Sequence, residues 1–144
     1  MNPYKFRLQK LLDIRIDKEE ASKIIFKDAQ LLKKNTEVKL DDLKQTYEQE
    51  RKKDNAASLI ERKIRSNYLN AVTNSIEETK VELNNNILKL EEKRAELEKK
   101  QIERKTVETL KDKKQYIFIK EQEMIEQKSN DEFALFAFMR RNHS

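Results

Sequence analysis

The sequence predicts an all-α fold, two long helices forming an antiparallel coiled-coil hairpin, and three observations predict it. The 144 residues include no glycine and one proline, where an average domain carries about 7% glycine. Apolar residues recur at three- and four-residue spacing through most of the chain, and at seven in its second half. Charged residues make up 41% and hydrophobic residues 36%, with acid and base interleaved as on a solvated helix face. Compact folds turn on glycine wherever φ is positive, so sandwiches, barrels and α/β folds are excluded. Phosphate loops and dinucleotide folds are excluded with them, since both bring backbone against the ligand through glycine.

The first helix, about 4–53, is predicted to start at Asn2, a side-chain cap, with Pro3 at the first helical position. Its apolar positions are Leu8, Leu11, Leu12, Ala21, Ile25, Ala29, Leu32, Leu40, Leu43 and Tyr47, and Asn35 with Thr36 is the weakest point of the period. A bend is placed at about 54–65. The apolar spacing lapses there, and Asp54-Asn55 tolerates turn geometry. Ser58-Leu59-Ile60-Glu61 fits a capping box, while Ser66-Asn67 is the alternative start of the second helix.

That second helix is set at about 66–139. Leu69, Ile76, Leu83, Leu90 and Leu97 fall seven apart, and Leu110, Ile117 and Met124 resume the ladder after a shift. A heptad of this kind is a coiled-coil seam, and Thr79 and Arg94 interrupt it, so local instability or a partner contact is expected near them. At 1.5 Å per residue the helices would run roughly 75 Å and 110 Å. One continuous dimeric rod is the competing arrangement. Residues 1–144 read as a single coiled-coil domain.

Net charge is +5, concentrated in residues 1–10 (+3) and 51–65 (+4). Arg51, Lys52 and Lys53 with Arg62, Lys63 and Arg65 would form a basic tip at the bend. Such a tip could meet phosphate, an acidic protein or anionic lipid headgroups, or simply solvate a loop. Only Tyr47 and Tyr68 flank it, which gives single-stranded nucleic acid little to stack on. Phe133-Ala134-Leu135-Phe136-Ala137-Phe138-Met139 is apolar all round a helix, more than a two-stranded seam covers. It is either a binding patch or a plug folded over helix 1 near Phe6 and Leu8.

The chemistry of a catalytic site is missing. His143 is the single histidine, next to the last residue, and pairs such as Glu77-Glu78, Glu91-Glu92 and Asp41-Asp42 lie on solvated faces with no pocket to shift them. No metal-ligand spacing, nucleophile elbow or cofactor motif occurs, so no enzyme activity, metal, cofactor or small-molecule substrate is expected. The absence of cysteine fits a reducing compartment. No stretch reaches the roughly 18 apolar residues of a membrane span, and the N-terminus lacks a signal-peptide apolar run. A cytoplasmic location is expected.

Both ends carry a resemblance. Phe6-Arg7-Leu8-Gln9, Leu11-Leu12-Asp13-Ile14-Arg15 and Glu19-Glu20-Ala21 look like the N-terminal signature of the flagellar export protein FliJ. Glu126-Gln127-Lys128 followed by Asp131-Glu132, Ala134, Phe138 and Arg140 resembles its C-terminal one. The resemblance implies a cytoplasmic, non-catalytic stalk of the flagellar type III export apparatus, similar to the γ subunit of rotary ATPases. Its implied partners are the export ATPase ring, the membrane export gate, which would hold it peripherally at the membrane, and export chaperones. The implied ATPase-docking residues are Phe6, Arg7, Leu8, Leu11, Leu12, Asp131, Glu132, Ala134, Phe138 and Arg140, brought together at the open end of the hairpin. Phe136 and Met139 join them from the apolar excess. Leu43, Tyr47, Tyr68, Leu69, Val72 and Ile76 resemble the gate-contacting surface, and Leu69, Val72 and Ile76 equally suit the seam. A self-associating coiled-coil scaffold and a basic-tipped nucleic-acid binder are the alternative functions.

Overall fold

In the computed structural model, which describes residues 3–53 and 58–143, the chain forms two long helices packed against each other, α1 (Gln9–Arg51) and α2 (Leu59–Asn142). The architecture is all-α, as the missing glycines and the apolar spacing require. Contacts fall into two compact units, Glu19–Lys100 and Met1–Lys18 with Gln101–Ser144.

The Glu19–Lys100 unit pairs the helices antiparallel. Thr36 meets Asn86, Lys39 meets Glu82 and Phe26 meets Arg94, so numbers rise along α1 as they fall along α2. Inward positions alternate strictly by three and four: 19, 22, 26, 29, 33, 36, 40, 43 and 47 on α1, and 69, 72, 76, 79, 83, 86, 90, 93 and 97 on α2. This is the heptad period of a coiled coil. Leu40, Val72 and Leu90 are buried, and so are Glu19, Ser22, Thr36, Thr79 and Asn86. Five of these eight buried residues are polar. Each buried hydroxyl of Thr36 and Thr79 donates to the carbonyl four residues earlier, Leu32 at 2.9 Å and Ser75 at 2.7 Å. Among the described residues no buried side-chain nitrogen or oxygen lacks a partner.

Three expectations about the seam are corrected. Ala21, Ile25 and Leu32 lie outside it and are exposed, because each stands one residue, about 100°, from the positions that stay in phase with Leu12 and Leu40. Thr36 is no break in the period; it is a buried seam residue. Thr79 is likewise enclosed and hydrogen-bonded, and the Arg94 guanidinium lies 5.7 Å from the Phe26 ring centroid, so neither interrupts the packing of the two helices.

In the second unit, Leu12 and Val107 are buried. The Arg15 guanidinium donates to the Glu103 carbonyl (2.8 Å), and the Lys111 ammonium donates to Gln9 Oε1 (2.8 Å). The expected shift of the ladder to Leu110, Ile117 and Met124 does not occur, and all three are exposed. The half-buried positions 104, 111 and 118 instead continue the seven-residue phase of Leu90 and Leu97.

Helix ends also differ from expectation. Asn2 lies outside the described residues, and α1 begins at Gln9, whose N–H donates to the Phe6 carbonyl at 3.2 Å. Residues 3–6 are not helical. Tyr4 and Phe6 are both half-buried, and the Tyr4 ring meets that of Phe118 tilted by 45°, with centroids 5.3 Å apart. At the other end α1 closes with Lys52 N–H to the Glu48 carbonyl and Lys53 N–H to that of Glu50. The expected bend at Asp54, Asn55, Ala56 and Ala57 lies outside the described residues. Positions 59–65, expected within that bend, are helical instead. Ser58 Oγ accepts the Glu61 N–H at 3.3 Å and its carbonyl accepts the Arg62 N–H at 3.0 Å, so Ser58 is the cap.

Candidate interaction surfaces

A helix pair with a narrow seam leaves most side chains outside, so function rests on which exposed surfaces depart from ordinary charged helix. The non-helical N-terminal lead forms one. Phe6 and Leu8 with Tyr4 lie over Leu110, Ile117 and Phe118, bordering a groove of about 650 Å³. Leu8 and Leu11 border another, of about 760 Å³, against Ile102, Val107 and Leu110. Leu12 is committed to the core, while Arg7 is exposed.

The C-terminal signature stands apart. Every described residue from 123 to 143 is exposed, with Phe136 at 68% and Phe138 at 62%. Phe133, Phe136 and Ala137 with Ser129, Glu132 and Arg140 line a groove of about 580 Å³ along this one helix. Asp131, Ala134 and Met139 are exposed on the same turns. The plug over Phe6 and Leu8 is not formed. The signatures do not meet as expected either, since α2 carries Phe133 about 22 Å beyond Phe118 at 1.5 Å per residue. The physical reason is the uninterrupted helix: without glycine or proline after Pro3, nothing turns α2 back toward residues 6–12.

Arg51, Lys52 and Lys53 do come together with Arg62, Lys63 and Arg65, because the Arg65 guanidinium donates to the Lys53 carbonyl at 3.3 Å. Glu48 and Glu50 pair with Arg51 (3.8 Å) and Lys53 (2.6 Å). Of the residues assigned to the gate surface, Val72 is buried, Leu43, Tyr47, Leu69 and Ile76 are half-buried, and Tyr68 is exposed. Tyr47 and Leu69 border a cleft with Arg62 and Arg65.

Two features escaped sequence reading. Leu59, Ile60 and Ile64 are exposed at the basic end; the capping box at Ser58–Glu61 offered a helix start there, but with the bend set at 54–65 they were not read as an apolar surface. Ile24, Leu31 and Val38, seven apart, are exposed along α1, and their spacing was the signal that could have found them.

Among the described residues no three His, Cys, Asp or Glu side chains gather to hold a metal, and no helix is long and apolar enough to cross a membrane. The Lys23 ammonium is held above the ordinary lysine value by its hydrogen bond to the Glu20 carboxylate and that group's charge, with Glu19 adding to the effect. This is an exposed ion pair on one helix face.

No curated protein and no solved structure matches the chain. A family model described as Flagellar FliJ protein matches residues 4–143. That match takes in the N-terminal lead, both helices and the exposed C-terminal turns, and the chain belongs to the FliJ family, whose members are components of the flagellar export apparatus.

Proposed function

We propose that the chain is a non-catalytic stalk of the flagellar export apparatus that binds the export ATPase ring and raises its turnover. The observation that carries this reading is the C-terminal run Phe133–Met139, apolar all round the helix and left exposed among the described residues. An exposed patch of that density is a protein-binding surface, with the aromatic anchors typical of interface hot spots. The ring contact is assigned to Asp131, Glu132, Ala134, Phe136, Phe138, Met139 and Arg140. Phe6, Arg7, Leu8 and Leu11 form a second contact against α2, and Leu12 supports it from the core.

The gate contact is assigned to the end near Tyr68, with Leu43, Tyr47, Leu69, Val72 and Ile76 shaping the helices beneath it. Escort of export chaperones completes the proposed role, and the cytoplasmic face of the membrane is its proposed location, reached through these partners. Co-purification with the cognate export ATPase tests the reading: the chain is expected to hold the ATPase and speed its turnover, and neither result at saturating stalk would overturn it.

A second reading, a self-associating scaffold, draws on the heptad-spaced exposure of Ile24, Leu31 and Val38. Light scattering separates the two, since that reading requires a dimer or larger species at micromolar concentration.

A further inference from the structure

We infer that the end of the helix pair formed by residues 51–53 and 59–65 is a docking surface for an anionic lipid bilayer. Leu59 and Ile60, in the first turn of α2, are 83% and 74% exposed, and Ile64 one turn on is 62% exposed. Helices spend such residues on a core or a partner, and no core among the described residues buries them. They are set among cations. Residues 51–65 carry a net charge of +4, and Lys52 and Lys63 make no ion pair among the described residues.

A bilayer surface takes both features at once. Its anionic headgroups attract Lys and Arg within a Debye length, and its acyl boundary takes up apolar side chains that enter beside them. Lys63 lies three and four residues beyond Ile60 and Leu59, on the same helix face, where its methylene stem can follow them while the ammonium stays among headgroups. A nucleic-acid duplex would use the cations but gives Leu59 and Ile60 no role, and of the two flanking tyrosines Tyr47 is half-buried, which leaves Tyr68 alone exposed. The other exposed apolar run, Phe133–Met139, has Asp131 and Glu132 on one side and Arg140 and Arg141 on the other. Its neighbouring charges cancel, so it lacks the attraction that the basic end has.

Flotation of the purified full chain with vesicles tests this without any export partner, so it stands or falls independently of the ATPase reading. Vesicles of equal parts phosphatidylcholine and phosphatidylglycerol should bind the chain at least about tenfold more tightly than phosphatidylcholine alone, with binding that weakens as salt rises. Leu59→Ser/Ile60→Ser and, separately, Lys52→Gln/Lys63→Gln should each weaken it severalfold or more with helicity unchanged. Phe136→Ser/Phe138→Ser should leave it intact. The proposal is overturned by equal binding to both vesicle types, by full binding of the Leu59→Ser/Ile60→Ser variant, by loss confined to the Phe136→Ser/Phe138→Ser variant, or by tighter binding to a DNA duplex that ignores Leu59 and Ile60.

Discussion

The Asn86 amide donates to the Thr36 hydroxyl at 2.8 Å across the helix pair, and Thr36 donates in turn to the Leu32 carbonyl at 2.9 Å. Both residues are buried, at 5% and 4% exposure, on seam positions where leucine would serve stability better. A satisfied polar pair in a coiled-coil seam sets register at a cost in stability. Slipping α1 by one heptad against α2 would leave the Asn86 amide enclosed without Thr36, a loss of about 1–3 kcal/mol.

Thr36→Val alone should therefore destabilise the chain by about 1–3 kcal/mol, because it strands the buried amide. Thr36→Val with Asn86→Leu should recover that loss or exceed it, while admitting more than one register. Urea denaturation measures the first effect. Cross-linking of cysteines placed at in-register and one-heptad-shifted positions measures the second.

Seam membership predicts a sharp contrast between residues of one type. Leu90→Ala, in the buried seam, should cost about 2–5 kcal/mol. Leu32→Ala, on the exposed flank, should stay within about 0.5 kcal/mol. Equal losses at the two positions would mean that the apolar stripe through Ile25 and Leu32 is the true contact face.

Tyr4 should hold the N-terminal lead on α2 through Phe118. Tyr4→Ala is expected to remove about 1 kcal/mol of ring contact and to speed hydrogen exchange at residues 6–12, leaving the Glu19–Lys100 unit unchanged. Exchange measured residue by residue checks both halves of that statement.

The Lys23 ammonium, raised by the Glu20 carboxylate, gives a signed pH dependence. Because its folded value lies above the unfolded one, the stability it adds is complete below the unfolded value of 10.5 and disappears as pH climbs through the folded one. Glu20→Gln should bring the Lys23 titration down toward 10.5, read by NMR of the side chain.

Much of this was legible in the sequence. The all-α hairpin followed from absent glycine and seven-residue spacing, and the basic cluster from charge counting. The α1 seam was legible in part: Leu12, Ala29, Leu40, Leu43 and Tyr47 lie inward as expected, but hydrophobicity also points to Ile25 and Leu32 while the structure encloses Ser22, Thr36 and Glu19. Polar residues enter a seam because their neighbours fix the phase, and that depends on the facing helix, which a stripe of one helix does not reveal. The separation of Phe6 from Phe138 was hidden for a related reason: a hairpin drawn from sequence places its ends by symmetry, whereas α2 continues beyond the residues that α1 and its lead contact.

The direct test of the stalk reading is the turnover of the cognate export ATPase with the native chain and with Phe136→Ser/Phe138→Ser. Both side chains are exposed, so helicity by circular dichroism should be unchanged while stimulation of the ATPase disappears. Full stimulation by the variant, or none by the native chain at saturation, would contradict the account.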